Sequence, residues 1–282
     1  MTDLHDDLLL ALALADAADA ITTARFGALD LRIEAKPDLS PVTDADRDTE
    51  DRLRDLLAAA RPADAIHGEE FDDTGPVDGS ADASARRWVI DPIDGTKNFV
   101  RGVPVWATLI ALMDGPDVVV GVVSAPALSR RWWASAGGGA WARTGSGDPV
   151  ECRVSTVATL ADASLSYSSL AGWEKRGVLP GFLELTRACW RTRAFGDFWS
   201  YVMLAEGTVD LAAEPEVALH DLAPLALIVA EAGGVFTDLT GRPGPDGGSA
   251  LASNGLLHGA LLAHLQPASQ TAADPESSTG AA

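Results

Sequence analysis

The chain has 282 residues, 47% of them hydrophobic, and a formal net charge of −20 at pH 7. This length and apolar content fit one large compact unit or two closely packed halves. The negative charge argues against a nucleic acid or an anionic membrane as partner, because either would be repelled.

The segments before residue 62 predict helices and no targeting signal. Leucine and alanine recur at helical spacing over residues 4–27, which predicts an amphipathic helix packed on the body of the protein. Acids flank its apolar residues, so it lacks the positive region of a secretory signal and is too interrupted to span a bilayer. Thr43 or Asp44 can cap a second helix, which Pro62 would end. Because the two cysteines form neither a metal-binding pattern nor a disulfide framework, we expect a cytoplasmic protein.

Strands dominate the next part of the chain, and strands and helices then alternate. Residues 71–84 have the composition of a loop. The predicted strands are at 65–70, 86–90, 106–114, 117–128, 130–143 (a hairpin), 163–168, just before Gly196, and 209–215. The predicted helices are at 180–189, 197–207 and 220–234.

This alternation predicts two layered α/β halves without a flexible linker. We assign residues 1–150 to an N-terminal half that carries most candidate metal ligands, and 151–265 to a C-terminal half that completes the site. Residues 266–282 have low complexity and are expected to form a disordered tail.

The segment RRWVIDPIDGTKNF, residues 86–99, places two aspartates directly after an apolar run. If the strand ends with this run, Asp91 and Asp94 can converge at its carboxyl end, where α/β folds place their sites. Neighbouring carboxylates repel unless one is protonated or a cation lies between them, and hard oxygen ligands suit Mg²⁺. Gly95 and Thr96 would open a helix whose N–H groups suit a phosphate. A turn with a capping aspartate and a stiffening proline explains the same residues without a ligand.

Acids at the ends of three other elements favour the cation site. Glu69 and Glu70 follow a predicted strand, Asp46 lies at the start of the second helix, and Asp221 opens an apolar helix. Each has a structural explanation by itself, as a cap or a solvated acid. Together they predict one acidic cluster drawn from four distant segments.

The segments GEE, WVIDPIDGTKNF and HDLAPLALIVAEAGG, in this order and spacing, resemble the inositol monophosphatase-like family of Mg²⁺-dependent phosphatases. The resemblance covers about residues 5–265. It implies an α/β layered sandwich (α/β/α/β/α), hydrolysis of a small-molecule phosphate monoester, two or more Mg²⁺ ions and a homodimer.

The resemblance also implies roles for individual residues. The implied metal ligands are Glu69, Asp91, the carbonyl of Ile93, Asp94 and Asp221. The implied catalytic residues are Asp46, Glu69 and Thr96, with Asp46 and Thr96 helping to activate water. The residues implied to contact the phosphate and its ester are Ile93, Asp94, Gly95, Thr96 and Asp221.

The chemistry of a phosphate monoester is compatible with this set. Divalent cations offset the charge of the dianion and lower the pKa of water, so no side-chain nucleophile is required. The chain offers no convincing Ser-His-Asp or Cys-His arrangement, and His67 and His220 are expected to support the neighbouring acids.

The segment RTRAFGDFWSYV, residues 191–202, stands where the family contacts the substrate beyond its phosphate. Asp197, with Glu214 as a second acceptor, suits an amine or imidazolium, and Arg193 suits phosphate. The stretch FGDFWSYV resembles the histidinol-phosphate phosphatase branch, which implies L-histidinol phosphate as substrate and histidine biosynthesis as the pathway. Asp197 could also cap the helix that follows Gly196, and the two roles do not exclude each other.

Two other functions stay open at this point. The same chemistry could serve inositol monophosphate or another small ester. A catalytically inactive Mg²⁺-binding scaffold is more remote, because a scaffold of this kind would be recognised by a lost ligand and every expected acid is present.

Overall fold

The computed structural model describes residues 4–74 and 86–265. The predicted loop at 71–84 therefore lies mostly, and the predicted tail at 266–282 wholly, outside the described residues. Within the described ranges, no helix is both long and apolar enough to cross a membrane.

The elements up to residue 151 form a hairpin, a large sheet and its covering helices. The helices are α1 (Leu4–Arg25), α2 (Asp44–Ala60) and α3 (Thr96–Val100). The strands are β1 (Ile33–Ala35), β2 (Pro41–Thr43), β3 (Ala65–His67), β4 (Arg86–Asp94), β5 (Ala107–Asp114), β6 (Asp117–Ala125), β7 (Arg130–Ser135), β8 (Ala140–Thr144) and β9 (Val150–Glu151).

Seven of these strands form one sheet, in the order β3-β4-β5-β6-β7-β8-β9. The β3–β4 pair is parallel, and the other pairs are antiparallel. Helices α1 and α2 cover one face, where Leu14 and Leu53 pack in one buried cluster with Trp88 and Ile110. Burying these side chains is the main stabilising contribution of this layer.

The remaining elements build a second, five-stranded sheet with its own helices. The helices are α4 (Ala171–Lys175), α5 (Leu179–Ala188), α6 (Asp197–Ala205), α7 (Leu219–Glu231) and α8 (His258–Leu265). The strands are β10 (Ser164–Tyr167), β11 (Arg191–Arg193), β12 (Leu211–Glu214), β13 (Val235–Thr237) and β14 (Ala250–Ser253), in the order β11-β10-β12-β14-β13.

The alternation of side chains along β12 separates the two faces of this second sheet. Leu211 and Ala213 pack with Phe182 of α5 and Leu261 of α8 on the outer face. Ala212 between them points the other way, into a cluster with α6 and α7.

Helices α6 and α7 form the central layer between the two sheets. Their Phe198 and Ile228 share one buried cluster with Leu109 and Trp132 of the first sheet and with Ala252 of the second. The five layers are thus helix, sheet, helix, sheet, helix, and the predicted fold class is confirmed. Because α6 and α7 pack against both sheets, the division into halves at residue 150 stays a prediction.

Several element boundaries differ from those predicted. The strand expected to end at Ile90 continues to Asp94, and the strand expected at 65–70 stops at His67. The pairs β1–β2 and β13–β14, the short helix α4 and the helix α8 were not predicted. The strands in those pairs have only three or four residues, too few for a periodic signal.

Candidate metal and substrate site

A cavity of about 650 Å³ opens where the ends of both sheets and the central helices meet. It carries seven carboxylates against two lysines. Its charged lining residues are Lys36, Asp38, Glu69, Asp94, Lys97, Asp197, Glu214, Glu216 and Asp221. This excess of negative charge favours a cationic occupant.

The two motif aspartates share one side of β4 because the strand bulges between them. In a regular strand, residues three apart point to opposite faces. Here Asp91 pairs with Leu109 and Asp94 pairs with Ala107, so β4 has one extra residue at this point. Such a bulge returns the second aspartate to the side of the first. Pro92 is tolerated inside the strand because the bulge breaks the regular hydrogen-bond ladder.

Asp221 completes a cluster of three carboxylates. It lies in the first turn of α7, where its Oδ2 accepts a hydrogen bond of 2.7 Å from the backbone N–H of Ala218. Carboxylate oxygens of Asp91, Asp94 and Asp221 lie within 4.8 Å of one another. Asp221 therefore stabilises the helix start and faces the cavity at the same time.

Burial and mutual repulsion act together on this cluster. Burial raises the pKa of Asp91, and the charges of Glu69 and Asp94 raise it further. The pKa of Asp94 is raised by burial and then by Asp197 and Asp221, and burial also raises the pKa of Asp221. A divalent cation would relieve this repulsion, and the all-oxygen donor set fits Mg²⁺.

Glu69 and Glu70 follow β3 and share one lysine. Lys36 Nζ lies 2.7 Å from a carboxylate oxygen of each. Burial alone would lower the pKa of Lys36, but hydrogen bonds from its ammonium to Glu69 and Glu70 raise it above the ordinary value. Burial raises the pKa of Glu70 to about 7. Lys36 was not among the candidate site residues predicted from the sequence.

Asp46 and Thr96 meet although 50 residues separate them. The Thr96 hydroxyl lies 3.0 Å from the carbonyl oxygen of Ile93 and 3.4 Å from Asp46 Oδ1. The other oxygen of Asp46 accepts hydrogen bonds from the hydroxyl and the backbone N–H of Thr43, which completes a capping box at the start of α2. Burial raises the pKa of Asp46 to about 6. Asp46 and Thr96 therefore lie close together, as the sequence analysis predicted.

Asp197 begins α6 in the left-handed region, with φ +49°, which is uncommon for a residue with a side chain. Its Oδ2 accepts a hydrogen bond of 3.2 Å from Asn98 Nδ2, which also donates to the carbonyl of Val105 at 2.9 Å. Asp94 supplies a cap to α6, because its Oδ2 accepts a hydrogen bond of 2.6 Å from the N–H of Phe198. The N-cap residue of α6 is Gly196, so Asp197 is the first residue of the helix and not its cap.

Glu214 ends β12 and lines the same cavity. Its carboxylate accepts hydrogen bonds from the hydroxyls of Tyr201, at 3.0 Å, and Ser168. Burial raises the pKa of Glu214 to about 8, against the hydrogen bond from Tyr201, which lowers it. Sequence reasoning missed Tyr201 and Ser168, although Tyr201 lies one helical turn after Asp197.

Three predicted residues lie away from the central cluster or at its border. Arg193 is exposed at the end of β11, and its Nη1 donates to the carbonyl of Thr192. The rings of His67 and His220 stack with centroids 6.0 Å apart, and His220 Nε2 lies 3.8 Å from Asp221 Oδ1. The fold thus brings the predicted acids together and leaves Arg193 outside.

Comparisons with known proteins show the family of the chain and its relatives. Residues 3–270 match the sequence model of the inositol monophosphatase family, and the chain belongs to that family. A histidinol-phosphatase of Streptomyces coelicolor is 60% identical, over 94% of this chain and 98% of its own. A histidinol-phosphatase of Mycobacterium tuberculosis is 58% identical, over 93% and 98%. A solved inositol monophosphatase from Zymomonas mobilis superposes with a TM-score of 0.80 at 32% identity, over 95% of this chain and 100% of that one.

Proposed function

We propose that this protein is a Mg²⁺-dependent phosphomonoesterase that hydrolyses L-histidinol phosphate to L-histidinol and phosphate, a step of histidine biosynthesis. The observation that carries the proposal is the identity of 60% and 58%, over nearly the whole of both chains, to two proteins named histidinol-phosphatase. The acids at the far side of the cavity support it, since histidinol carries an amine and an imidazole.

The proposed cation ligands are Glu69, Asp91, the carbonyl of Ile93, Asp94 and Asp221. When bound there, two or more Mg²⁺ ions would supply the positive charge that offsets the phosphate dianion and lowers the pKa of water. The crowding of Asp91, Asp94 and Asp221 within 4.8 Å supports this role, because three such carboxylates repel in the absence of a cation.

The Asp46–Thr96 pair is the proposed base for the attacking water. If the Thr96 hydroxyl directs its hydrogen toward Asp46 or the Ile93 carbonyl, its lone pairs stay available to accept a hydrogen bond from water. Asp46, with a pKa raised to about 6 by burial, is then able to take up a proton near neutral pH. The turn at Gly95 and Thr96 is the proposed seat of the phosphate.

The far end of the ester is proposed to lie against Asp197 and Glu214. The carboxylate of Asp197 accepts a hydrogen bond from the neutral amide of Asn98, so it keeps a full negative charge to offer when ionised. A cationic amine beside it would form a charge-assisted hydrogen bond, which is stronger than a bond between neutral groups. Arg193 as a phosphate contact stays a prediction.

Hydrolysis of inositol monophosphate is the second candidate. The solved inositol monophosphatase of Zymomonas mobilis covers 95% of this chain. A Glu214 that is protonated at neutral pH, with the hydroxyls of Tyr201 and Ser168 beside it, could also hydrogen-bond a neutral polyol.

We also propose that the protein works in the cytoplasm as a homodimer. Both cysteines are unpaired thiols, as is usual in a reducing compartment. Trp190, which is 69% exposed just before the edge strand β11, is an apolar anchor that a second copy could cover. Light scattering of the wild type and of Trp190→Glu tests this assembly, and a wild type of monomer mass would contradict it.

Phosphate release from a panel of monoesters tests the function. With Mg²⁺ present, we expect kcat/KM for L-histidinol phosphate to exceed that for inositol monophosphate by well over tenfold, and EDTA to abolish both activities. A wild type that prefers inositol monophosphate would select the second candidate. Activity that persists in EDTA would contradict the cation-dependent chemistry.

A further inference from the structure

Glu50 is a fully buried carboxylate on α2 that holds the backbone of the GEE segment. Its Oε2 accepts hydrogen bonds from the N–H groups of Glu69, at 3.0 Å, and Glu70, at 2.8 Å. Its Oε1 accepts from the N–H of Phe71 at 3.3 Å and from Arg54 Nε at 2.8 Å. One side chain thus fixes three consecutive peptide N–H groups.

Gly68 shows how closely the backbone approaches this carboxylate. A Cβ atom at position 68 would lie 1.9 Å from Glu50 Oε1 and 2.7 Å from an Arg54 nitrogen. Only glycine allows the segment to lie this close. Arg54 completes the contact, because its guanidinium also donates to the carbonyls of Phe71 and Asp72 at 3.0 and 3.1 Å.

The same helix carries Asp46, one turn before Glu50. Residues four apart lie on one face of a helix. Helix α2 therefore presents Asp46 toward Thr96 and Glu50 toward the GEE segment. This single helix sets the distance between Thr96 and the GEE segment.

We propose that Glu50 is a positioning residue for divalent-cation binding. By fixing the peptide N–H groups of Glu69 and Glu70, it holds the Glu69 carboxylate near Asp91. This inference rests on the proposed function only in taking Glu69 as a cation ligand. Partners that orient ligands from outside typically contribute 10- to 100-fold to metal affinity, and we expect a loss of about that size without Glu50.

The Kd for Mg²⁺, measured without any assay of activity, distinguishes a positioning role of Glu50 from a purely structural one. Glu50→Gln keeps the shape but turns one acceptor oxygen into an NH₂ donor that faces a backbone N–H. Calorimetry of Mg²⁺ binding to chelator-treated protein without substrate is expected to give a Kd about 10- to 100-fold above wild type. Gly68→Ala, which pushes the carboxylate away from the segment, is expected to shift the Kd in the same direction.

Asp7→Asn is the matched control. Asp7 is as buried as Glu50 and is also paired with arginine, but it contacts Arg61 and Arg86 at the far end of α2 and β4. This control is expected to lower Tm and to leave the Mg²⁺ Kd unchanged.

Each outcome has one meaning. If Glu50→Gln lowers Tm as Asp7→Asn does but binds Mg²⁺ like wild type, the positioning role is overturned and the proposed function stands. If wild type itself binds no Mg²⁺, the cation site in the proposed function fails instead. Should Glu50→Gln not fold, an unchanged Mg²⁺ Kd in Gly68→Ala overturns the inference equally.

Discussion

Buried carboxylates lie at both ends of β4, and the two ends differ in how this negative charge is balanced. At the first end, Asp7 accepts hydrogen bonds from Arg61 and Arg86 at distances between 2.7 and 3.1 Å. At the other end, no lysine or arginine nitrogen of the described residues lies within 4.0 Å of a carboxylate oxygen of Asp91 or Asp94, so neither forms an ion pair there.

The negative charge of Asp7 is neutralised by arginines of the protein itself, whereas that of Asp91 and Asp94 is not. Arginine beside Asp7 ties α1 to α2 and β4, which is a structural role. Without such partners, burial raises the pKa of both Asp91 and Asp94 and repulsion from neighbouring acids adds to it. Carboxylates with strongly raised pKa values cluster at functional sites, which supports the proposed cation site.

The largest expected effect is a loss of catalysis when a carboxylate is removed at the Asp91 and Asp94 end of β4. Asp94→Asn keeps an acceptor for the N–H of Phe198 but removes the charge of a proposed cation ligand. We expect kcat to fall by about 10³-fold or more, equivalent to several kcal/mol of charge stabilisation. The Tm of the metal-free protein should stay the same or rise, because one repelling charge is gone. If Asp94→Asn kept full turnover in Mg²⁺, the proposed role of Asp94 as a cation ligand would be contradicted.

A substitution of Asp7, at the other end of β4, should lower stability and leave catalysis nearly unchanged. Asp7→Asn leaves two arginines around a neutral amide, and breaking a buried pair costs about 3 kcal/mol or more of unfolding free energy. We expect chemical denaturation to show this loss while kcat at 25 °C stays within about twofold, since no step uses Asp7. A large fall in kcat with unchanged stability would contradict the structural role.

Asp197 extends the comparison to the substrate end of the cavity. Asp197→Asn keeps the acceptor for Asn98 and removes the charge proposed to meet the amine. A buried charged hydrogen bond of about 1–3 kcal/mol predicts a fall of about tenfold in the kcat/KM ratio of histidinol phosphate to inositol monophosphate. Asp38→Asn, a loss of charge at an exposed part of the same cavity, serves as control and should change the ratio less. An unchanged ratio in Asp197→Asn would remove Asp197 from substrate selection.

The smallest effect is the pH dependence of the metal-free protein. A carboxyl whose folded pKa is raised binds more protons folded than unfolded, so its stability contribution is lost as pH rises through the folded pKa. For Asp46 this window runs from 3.8 to about 6, and for Glu214 from 4.5 to about 8. We expect Tm without metal to fall by about 5 °C between pH 5 and pH 8. Saturating Mg²⁺ should flatten the curve, and a rise in Tm with pH in EDTA would contradict the assigned shifts.

Local patterns in the sequence were sufficient for much of the fold and for the acids of the site. The start of α2 was predicted from Thr43 or Asp44 as its cap, and Thr43 is the cap in the structure. The apolar run that follows His220 and Asp221 predicted α7. Asp91, Asp94 and Asp221 were recognisable because each is an acid beside an apolar run. Such signals are short in range and need no knowledge of neighbouring elements.

The sequence by itself therefore determined the family, the layered class and the carboxylates of the site. Only the tertiary structure decided how they meet. The bulge that brings Asp91 beside Asp94 depends on the register with β5, which no local pattern encodes. The contacts of Lys36 with Glu69 and of Asn98 with Asp197 join residues 33 and 99 positions apart. Those of Glu50 with the GEE segment join residues 19 and 20 positions apart. Hydrogen bonds over such separations arise from the packing of distant elements, so the partners of these residues appear only once the chain is folded.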